Sequence, residues 1–441
     1  MFDHDIVSVK KGFLTNNNSD SLFFLRSAAV LSLVTMSTLE VAAWFVLWGL
    51  APVVQSALAS SKKKDSTATT NNSMKKKPLI HVFGVDRAID IDPKVFPTQE
   101  ELDELEGYLP PHEHLWYPSV VNEDLLHYRK ISPPTSSPKA VVIYQHGIAT
   151  HGGKAYIMKG TSSHSDATAK GRKLNASILA EVFCQQNNML LYLPDMWSHG
   201  YSEGSPRWLI PGKWKDTSLQ DLIHFVQMIC QQHADLPVFL LGESWGGTLT
   251  IHTARHFQDC PLEKPSNFDS ILLTGPAIVG DLPPAPVVFV LRYLLAPFFP
   301  RWRPFFMPNT LTPDRIWRDE EVRSYRTSKR YSEMSIDGSG IPFRLGTAVN
   351  LLLGLEECRR SAIPGFRLPF CIVHGVNDLG VPVEGSDYLW ETADTPTEDK
   401  AYDRVEDGRH DMLSDHYAEE AMDFFMKFIQ KRLAKRQSVG Q

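Results

Sequence analysis

Cysteine is scarce in this chain of 441 residues: there are five, Cys184, Cys230, Cys260, Cys358 and Cys371, odd in number and widely scattered. No C-x-x-C spacing occurs, so neither a zinc framework nor a disulfide scaffold is indicated, and the expectation is reduced, buried thiols and no bound metal. A basic surplus is missing too. Lys and Arg number 45 against 51 Asp and Glu, a formal charge of -6, which argues against a nucleic-acid partner. Internal repeats are absent. What is present, 43% hydrophobic and 22% charged residues, is ordinary for a globular protein. The length suits one large domain with an appendage, or two modest domains.

The N-terminal region departs from that average. After a polar stretch at 1–26, residues 27–59 are apolar or small apart from Glu40, and 41–59 read VAAWFVLWGLAPVVQSALA. That run approaches the ~20 residues that cross a bilayer core. Trp44 and Trp48 suit its interfaces, whereas Pro52 and Gln55 weaken it. A core or amphipathic helix is the alternative. Lys62-Lys63-Lys64 and Lys75-Lys76-Lys77 follow, in a Ser/Thr/Asn/Lys-rich linker at 60–77. The positive-inside bias then puts the bulk of the chain on the cytosolic side of a single-pass segment, with the endoplasmic reticulum as one host membrane. Sequons at Asn71 and Asn175 stay unmodified in that orientation.

Beyond a connecting segment at 78–114, short apolar runs alternate with longer amphipathic ones, as in a parallel sheet covered by helices. The expected strands are Ala140–Gln145, Met189–Leu193, Val238–Leu241, Ser270–Thr274, Phe370–His374 and, more polar, Ala401–Val405. Helices are expected at Ala176–Gln186, Ser218–Gln232, Gly247–Phe257, Glu384–Thr392 and Tyr417–Leu433. Between Gly275 and Leu368 the alternation fails. Pro and aromatic residues crowd the start, and a charged helical stretch follows from Pro313 to Tyr331. So long a connection reads as an inserted cap at 276–367. Its apolar part, Val287 to Phe306, is expected to line an acyl channel, to form the cap's own core, or both.

Gly242-Glu243-Ser244-Trp245-Gly246 sits between an apolar strand and a helix. A serine at such an apex needs small residues two before and two after it, which Gly242 and Gly246 supply. Its hydroxyl needs an imidazole to take the proton and a carboxylate to orient that imidazole, in the chain order serine, acid, histidine. Asp378, past the fifth strand, and His410, after the last strand, meet that order, with Glu384 in reserve as the acid. His146, His374 and His199 read as organisers of their loops. The tetrahedral oxyanion needs preorganised donors. The amide of Trp245, at a helix N-terminus, and the amide of Ile148, after the first strand, are the candidates.

These motifs resemble the monoacylglycerol lipase-like branch of the α/β-hydrolases, which includes lysophospholipases and plant phenolic-ester esterases. The resemblance spans roughly Trp116 to Leu433. It rests on His146-Gly147-Ile148 with His151, on the loop Asp195 to Gly204, on the Gly242-Glu243-Ser244 elbow, on His374-Gly375 through Asp378, on His410, and on Asp319-Glu320-Glu321-Val322 with Tyr325 in the cap. Departures are Ala149-Thr150-His151 where a Gly-Glu-His is common, Ser198 in place of a glycine, and a polar insertion near 159–173. The resemblance implies an α/β-hydrolase fold at 115–434, a mostly parallel central sheet flanked by helices with an inserted helical cap, and a short tail at 435–441. It also implies a serine hydrolase of lipid-like esters that needs no cofactor. An acyltransferase sharing the acyl-enzyme, suggested by His410 with Asp415 in H-x-x-x-x-D spacing, an esterase of phenolic esters and a non-catalytic binding module are the alternatives.

Overall fold

The structure, a computed structural model, describes residues 79–158, 171–280, 283–305, 307, 311–338 and 340–439. All belong to the second of two units, Lys76–Gln441. The apolar segment, the Lys-rich linker, the Asn71 sequon and most of the polar insertion lie outside the described residues. Among the described residues no helix is long and apolar enough to cross a membrane.

The strands in chain order are β1 (Ile80–Val82), β2 (Val85–Arg87), β3 (His112–Pro118), β4 (Leu125–Ile131), β5 (Val141–Gln145), β6 (Ala155–Met158), β7 (Arg172–Asn175), β8 (Leu190–Pro194), β9 (Val238–Glu243), β10 (Phe268–Thr274), β11 (Phe370–Gly375) and β12 (Lys400–Val405). The helices are α1 (Gln99–Gly107), α2 (Ala176–Leu179), α3 (Ser218–Gln232), α4 (Trp245–Asp259), α5 (Ala285–Phe289), α6 (Pro313–Ile316), α7 (Glu320–Arg326), α8 (Lys329–Glu333), α9 (Leu345–Glu357), α10 (Glu384–Thr392) and α11 (Ala418–Val439). Eight strands form the main sheet in the order β12-β11-β10-β9-β5-β8-β4-β3. From β12 to β8 the pairing is parallel, and β4 and β3 close the far edge antiparallel.

The central strands are apolar on both faces because both faces are covered. Val141 and Ile143 of β5 pack with Leu222, Phe225 and Ile229 of α3 and with Leu249 and Phe257 of α4. Val142 and Tyr144, one pleat along, point the other way, toward Ile178, Phe183 and the α11 residues Met422, Phe425 and Ile429. Each such side chain contributes about 1.5–3 kcal/mol by leaving water. A charge on any of them would lose that and add an unpaired buried ion.

The expected strands and helices are all present, with ends within two residues of those expected except that α11 runs on to Val439 and the helix expected at Ala176–Gln186 is α2 continued by a π-helical stretch, Ala180–Gln186. The stretch before residue 115 is more than a connection. A β1–β2 hairpin and α1, which has a Thr98–Glu101 capping box, pack Ile80, Val82, Ile89 and Leu102 against Tyr201 and the cap residues Tyr331, Met334 and Ile336. The charged part of the cap is three short helices, α6 to α8, each started by its own cap residue or proline. The long apolar helix α9 closes the cap.

Candidate active site

β9 ends at Glu243 and α4 begins at Trp245, which leaves Ser244 alone in the turn with φ 54° and ψ -120°. A non-glycine residue in such a conformation costs roughly 1–3 kcal/mol and persists only where its surroundings impose it. Here they do. A Cβ on Gly242 would sit 2.6 Å from the Gly246 carbonyl oxygen, and one on Gly246 would sit 2.2 Å from that of Gln145. Only glycine at both positions lets the strand turn into the helix this tightly.

His410, from the loop after β12, brings Nε2 to 3.0 Å from Ser244 Oγ. Its Nδ1 lies 2.7 Å from Asp378 Oδ2, on the loop after β11. A carboxylate only accepts, so Nδ1 carries the proton and Nε2 is free to accept from the serine hydroxyl. The other oxygen of Asp378 accepts the amides of Gly380 (2.7 Å) and Val381 (2.8 Å). Burial alone would raise the Asp378 carboxyl, but the His410 charge and hydrogen bonds from His374 and His410 hold it well below the usual carboxylate range. Burial likewise works to lower His410, yet the Asp378 charge and hydrogen bond leave it above the ordinary histidine value. Glu384 opens α10 on the surface, and among the described residues the side-chain hydrogen bonds of His410 go to Asp378 and Ser244. Asp415 bonds its neighbour His416 at 2.6 Å instead of His410.

The loop after β5 is pressed onto Ser244: a Cβ on Gly147 would lie 3.1 Å from Ser244 Cβ. The Ile148 amide, next in that loop, and the Trp245 amide, first in α4, donate to no protein acceptor among the described residues. Amides at a helix start have no partner within the helix and favour an anion. His146 braces this loop, with Nδ1 on the Gly147 carbonyl (2.7 Å) and Nε2 accepting the Met196 amide (3.0 Å). His374 backs the acid, its Nε2 3.1 Å from Asp378 Oδ2 and its Nδ1 2.7 Å from Ser386 Oγ. His199 holds the Trp197 carbonyl of its own loop.

A buried ion network beneath the site has no counterpart in the motifs. Lys154 Nζ bridges Glu243 Oε1 (3.0 Å), the residue before the nucleophile, and Asp411 Oδ2 (2.8 Å), the residue after His410. Asp411 also accepts from Asn175 (3.0 Å), Ser414 (2.6 Å) and Trp317 of the cap (3.0 Å). Tyr144 donates to Glu243. Burial would raise the Asp411 carboxyl, but Lys154 and these donors bring it down to about 2. Asn175 is thereby committed inside the fold, where its buried side chain leaves no room for a glycan. Arg326 and Asp337 extend the network into the cap, where Thr150 Oγ1 donates to Asp337 at 3.0 Å.

Two spaces open on Ser244. One is a cavity of about 400 Å³ lined almost wholly by aliphatic side chains, among them Val288, Leu291, Leu311, Leu351, Leu352 and Leu355. The other is a recess of about 30 Å³ where the polar groups of Thr150, Lys154, Glu243, His410 and Asp411 meet apolar residues that include Ile148, Leu311, Ile316, Ile341 and Phe343. Of the segment Val287 to Phe306 that the sequence offered as an acyl channel, Val288 and Leu291 line the cavity, and Phe343 further along the cap joins them, whereas several of the segment's aromatic residues face solvent. Phe289, Tyr293, Phe298 and Phe305 are 55%, 53%, 73% and 89% exposed. The aliphatic neighbours Val288 and Leu291 face inward in their place, because the helical period turns alternate sides of the segment to cavity and solvent.

The family model described as serine aminopeptidase, S33, matches residues 177–417. Monoglyceride lipase from Rattus norvegicus is 26% identical over 304 residues, 68% of this chain and 84% of the relative. A soluble variant of monoglyceride lipase from Saccharomyces cerevisiae, solved with a substrate analogue, superposes with a TM-score of 0.53 at 16% identity, covering 74% of this chain and 96% of that one. A carboxyl esterase from Bacillus coagulans gives 0.52 at 16% identity over 74% and 99% of the two chains. At such identities the superpositions establish the α/β-hydrolase fold.

Proposed function

The chain belongs to the serine aminopeptidase S33 family and is a carboxylic ester hydrolase, and on that premise we propose that it cleaves single-chain lipid esters, of the monoacylglycerol or lysophospholipid type, through an acyl-enzyme on Ser244. One observation carries the substrate class: Ser244 stands where an aliphatic cavity of about 400 Å³ meets a recess of about 30 Å³ that holds Thr150, Lys154, Glu243, His410 and Asp411 among apolar neighbours. The first suits an acyl chain and the second a compact alcohol.

In this reading His410 Nε2 takes the hydroxyl proton as Ser244 Oγ bonds the ester carbon. The carbonyl oxygen becomes an oxyanion held by the Ile148 and Trp245 amides, each worth about 3–4 kcal/mol of transition-state stabilisation. Asp378 stabilises the imidazolium, which then gives its proton to the departing alcohol oxygen. Water enters by the recess and gives a proton to His410 as its oxygen bonds the acyl carbon; the bond to Ser244 Oγ then breaks, Oγ takes the proton back from His410, and the fatty acid leaves. The exposed cap aromatics beside the cavity favour uptake from an aggregated lipid phase. The apolar N-terminal segment, as a tether, would raise the local concentration of such a phase.

The test is a matched ester panel: monoacylglycerols, a lysophospholipid, and aryl esters of bulky phenolic acids. Preference for the long-chain lipid esters, lost in Ser244→Ala, supports the proposal. Preference for the phenolic esters, or acyl transfer to added glycerol in place of free fatty acid, overturns it.

A further inference from the structure

Glu106 at the end of α1 and His112 and His114 on β3 bring three ligand-type atoms within 4.8 Å of one another. Their hydrogen bonds fix where the lone pairs point. His112 Nδ1 lies 2.8 Å from the Pro110 carbonyl, which accepts only, so Nδ1 carries the proton and Nε2 is left with a lone pair. That lone pair faces Glu106 Oε2 at 3.0 Å. Two acceptors in such contact need a cation between them. His127 Nδ1 donates to Asp195 Oδ2 (2.8 Å), so its Nε2 accepts from His114 Nδ1 (3.0 Å). A doubly protonated His127 would set a second positive charge beside Arg129, whose guanidinium already lies 3.5 Å from Asp195. His114 Nε2 is therefore also a lone pair, turned toward Glu106 Oε2 at 4.0 Å. A proton on His112 relieves the first contact and still leaves the lone pair of His114 Nε2 open as a ligand.

We propose that Glu106, His112 and His114 bind one divalent transition-metal ion, zinc by preference. Two imidazole nitrogens and one carboxylate oxygen, with water as the fourth ligand, form a tetrahedral zinc set. Bonds of about 2.0–2.2 Å would draw these atoms together with side-chain movement alone. The supporting groups are those a ligating set needs: each histidine gives its other N–H away, one to a carbonyl and one along His127 to Asp195. Arg129 Nε and NH2 (2.9 and 2.8 Å) and the Tyr201 hydroxyl (3.0 Å) orient the Glu106 carboxylate. Glu106 and Asp195 together outweigh the single guanidinium, so a dication enters a net negative surround. None of the three ligands lines either space at Ser244. The ion is a staple between α1 and the sheet edge.

The untagged full-length protein, stripped with a chelator, would be titrated with Zn²⁺ by calorimetry and with Co²⁺ by visible absorption. The expected result is one ion per chain, a raised melting midpoint and unchanged ester turnover. His112→Ala, at the half-buried edge, and the His112→Ala/His114→Ala pair should each weaken binding at least about 100-fold, beyond the usual cost of losing a supporting contact. Melting of the metal-free variants shows whether each is folded, and the single variant carries the test should the pair unfold. His256→Ala, in the surface group His256, Cys260 and Glu263, should bind as wild type. No binding, binding that survives His112→Ala undiminished, or binding lost with His256→Ala would overturn the site.

Discussion

The two spaces that meet at Ser244 differ in their walls, although Ile148, Leu311 and Phe343 line both. The recess lies between the loops at the carboxyl edge of the sheet and cap residues such as Ile316, Trp317 and Ile341, and it holds charged groups that pair with one another: Lys154 with Glu243 and Asp411. The cavity is roofed by the cap, and its walls are mostly aliphatic. One side is held by directional hydrogen bonds among buried charges. The other offers shape and apolar area, which is non-directional and tolerant. Mutations should therefore separate the two.

The largest effect is expected at the junction. Ser244→Ala should lower kcat by about 10⁴–10⁶ while a fluorescent fatty acid still binds the cavity, read by fluorescence titration. Loss of both together would mean that chemistry and acyl binding are not separable here. Next is Lys154→Met, which leaves Glu243 and Asp411 buried without their cation. A loss of about 3–5 kcal/mol is expected in urea unfolding. Because Lys154 and its companions hold Asp411 down to about 2, the stability it contributes is present above the ordinary aspartate range and lost as pH falls toward 2. In the variant that acid limb should move upward.

The cavity side should respond through selectivity. Leu291→Trp, on the inner face of the cap, should cut kcat/KM for long-chain esters roughly tenfold or more and leave short-chain esters nearly unchanged, as measured on a chain-length series. Smaller still is the pH effect. His410 must be neutral to accept the serine proton, and Asp378 raises its affinity for protons. The acid limb of kcat/KM should therefore turn over above the ordinary histidine value. In Asp378→Asn, residual activity should turn over at lower pH. Least affected should be a truncation starting at Pro78, soluble and as active as the full chain on short soluble esters. Sedimentation after carbonate treatment of the full chain tests the tether.

The loops of the candidate site were legible because each follows a strand of the main sheet, the buried β5, β8, β9 and β11 or the more polar β12, and carries its residues in a local motif, as Gly242-Glu243-Ser244-Trp245-Gly246 does. Lys154 and Asp411 were not. They lie 257 positions apart, and neither sits in a pattern that distinguishes it from a surface ion. The antiparallel edge was missed for a related reason: β3 is only partly buried and reads as His-Glu-His-Leu-Trp-Tyr-Pro, with no apolar run to mark it. In the cap, composition revealed an apolar segment but not which of its faces meets the cavity. That depends on where α5 starts.

The central claim is that Ser244 is the nucleophile, activated by His410. Treating the protein with a fluorophosphonate, digesting it and mapping the modified peptide by mass spectrometry addresses this directly. One adduct on Ser244, absent from Ser244→Ala and much slower to form in His410→Ala, is the expected result. Labelling that persists in Ser244→Ala, or an adduct mapped to another residue, would contradict the assignment.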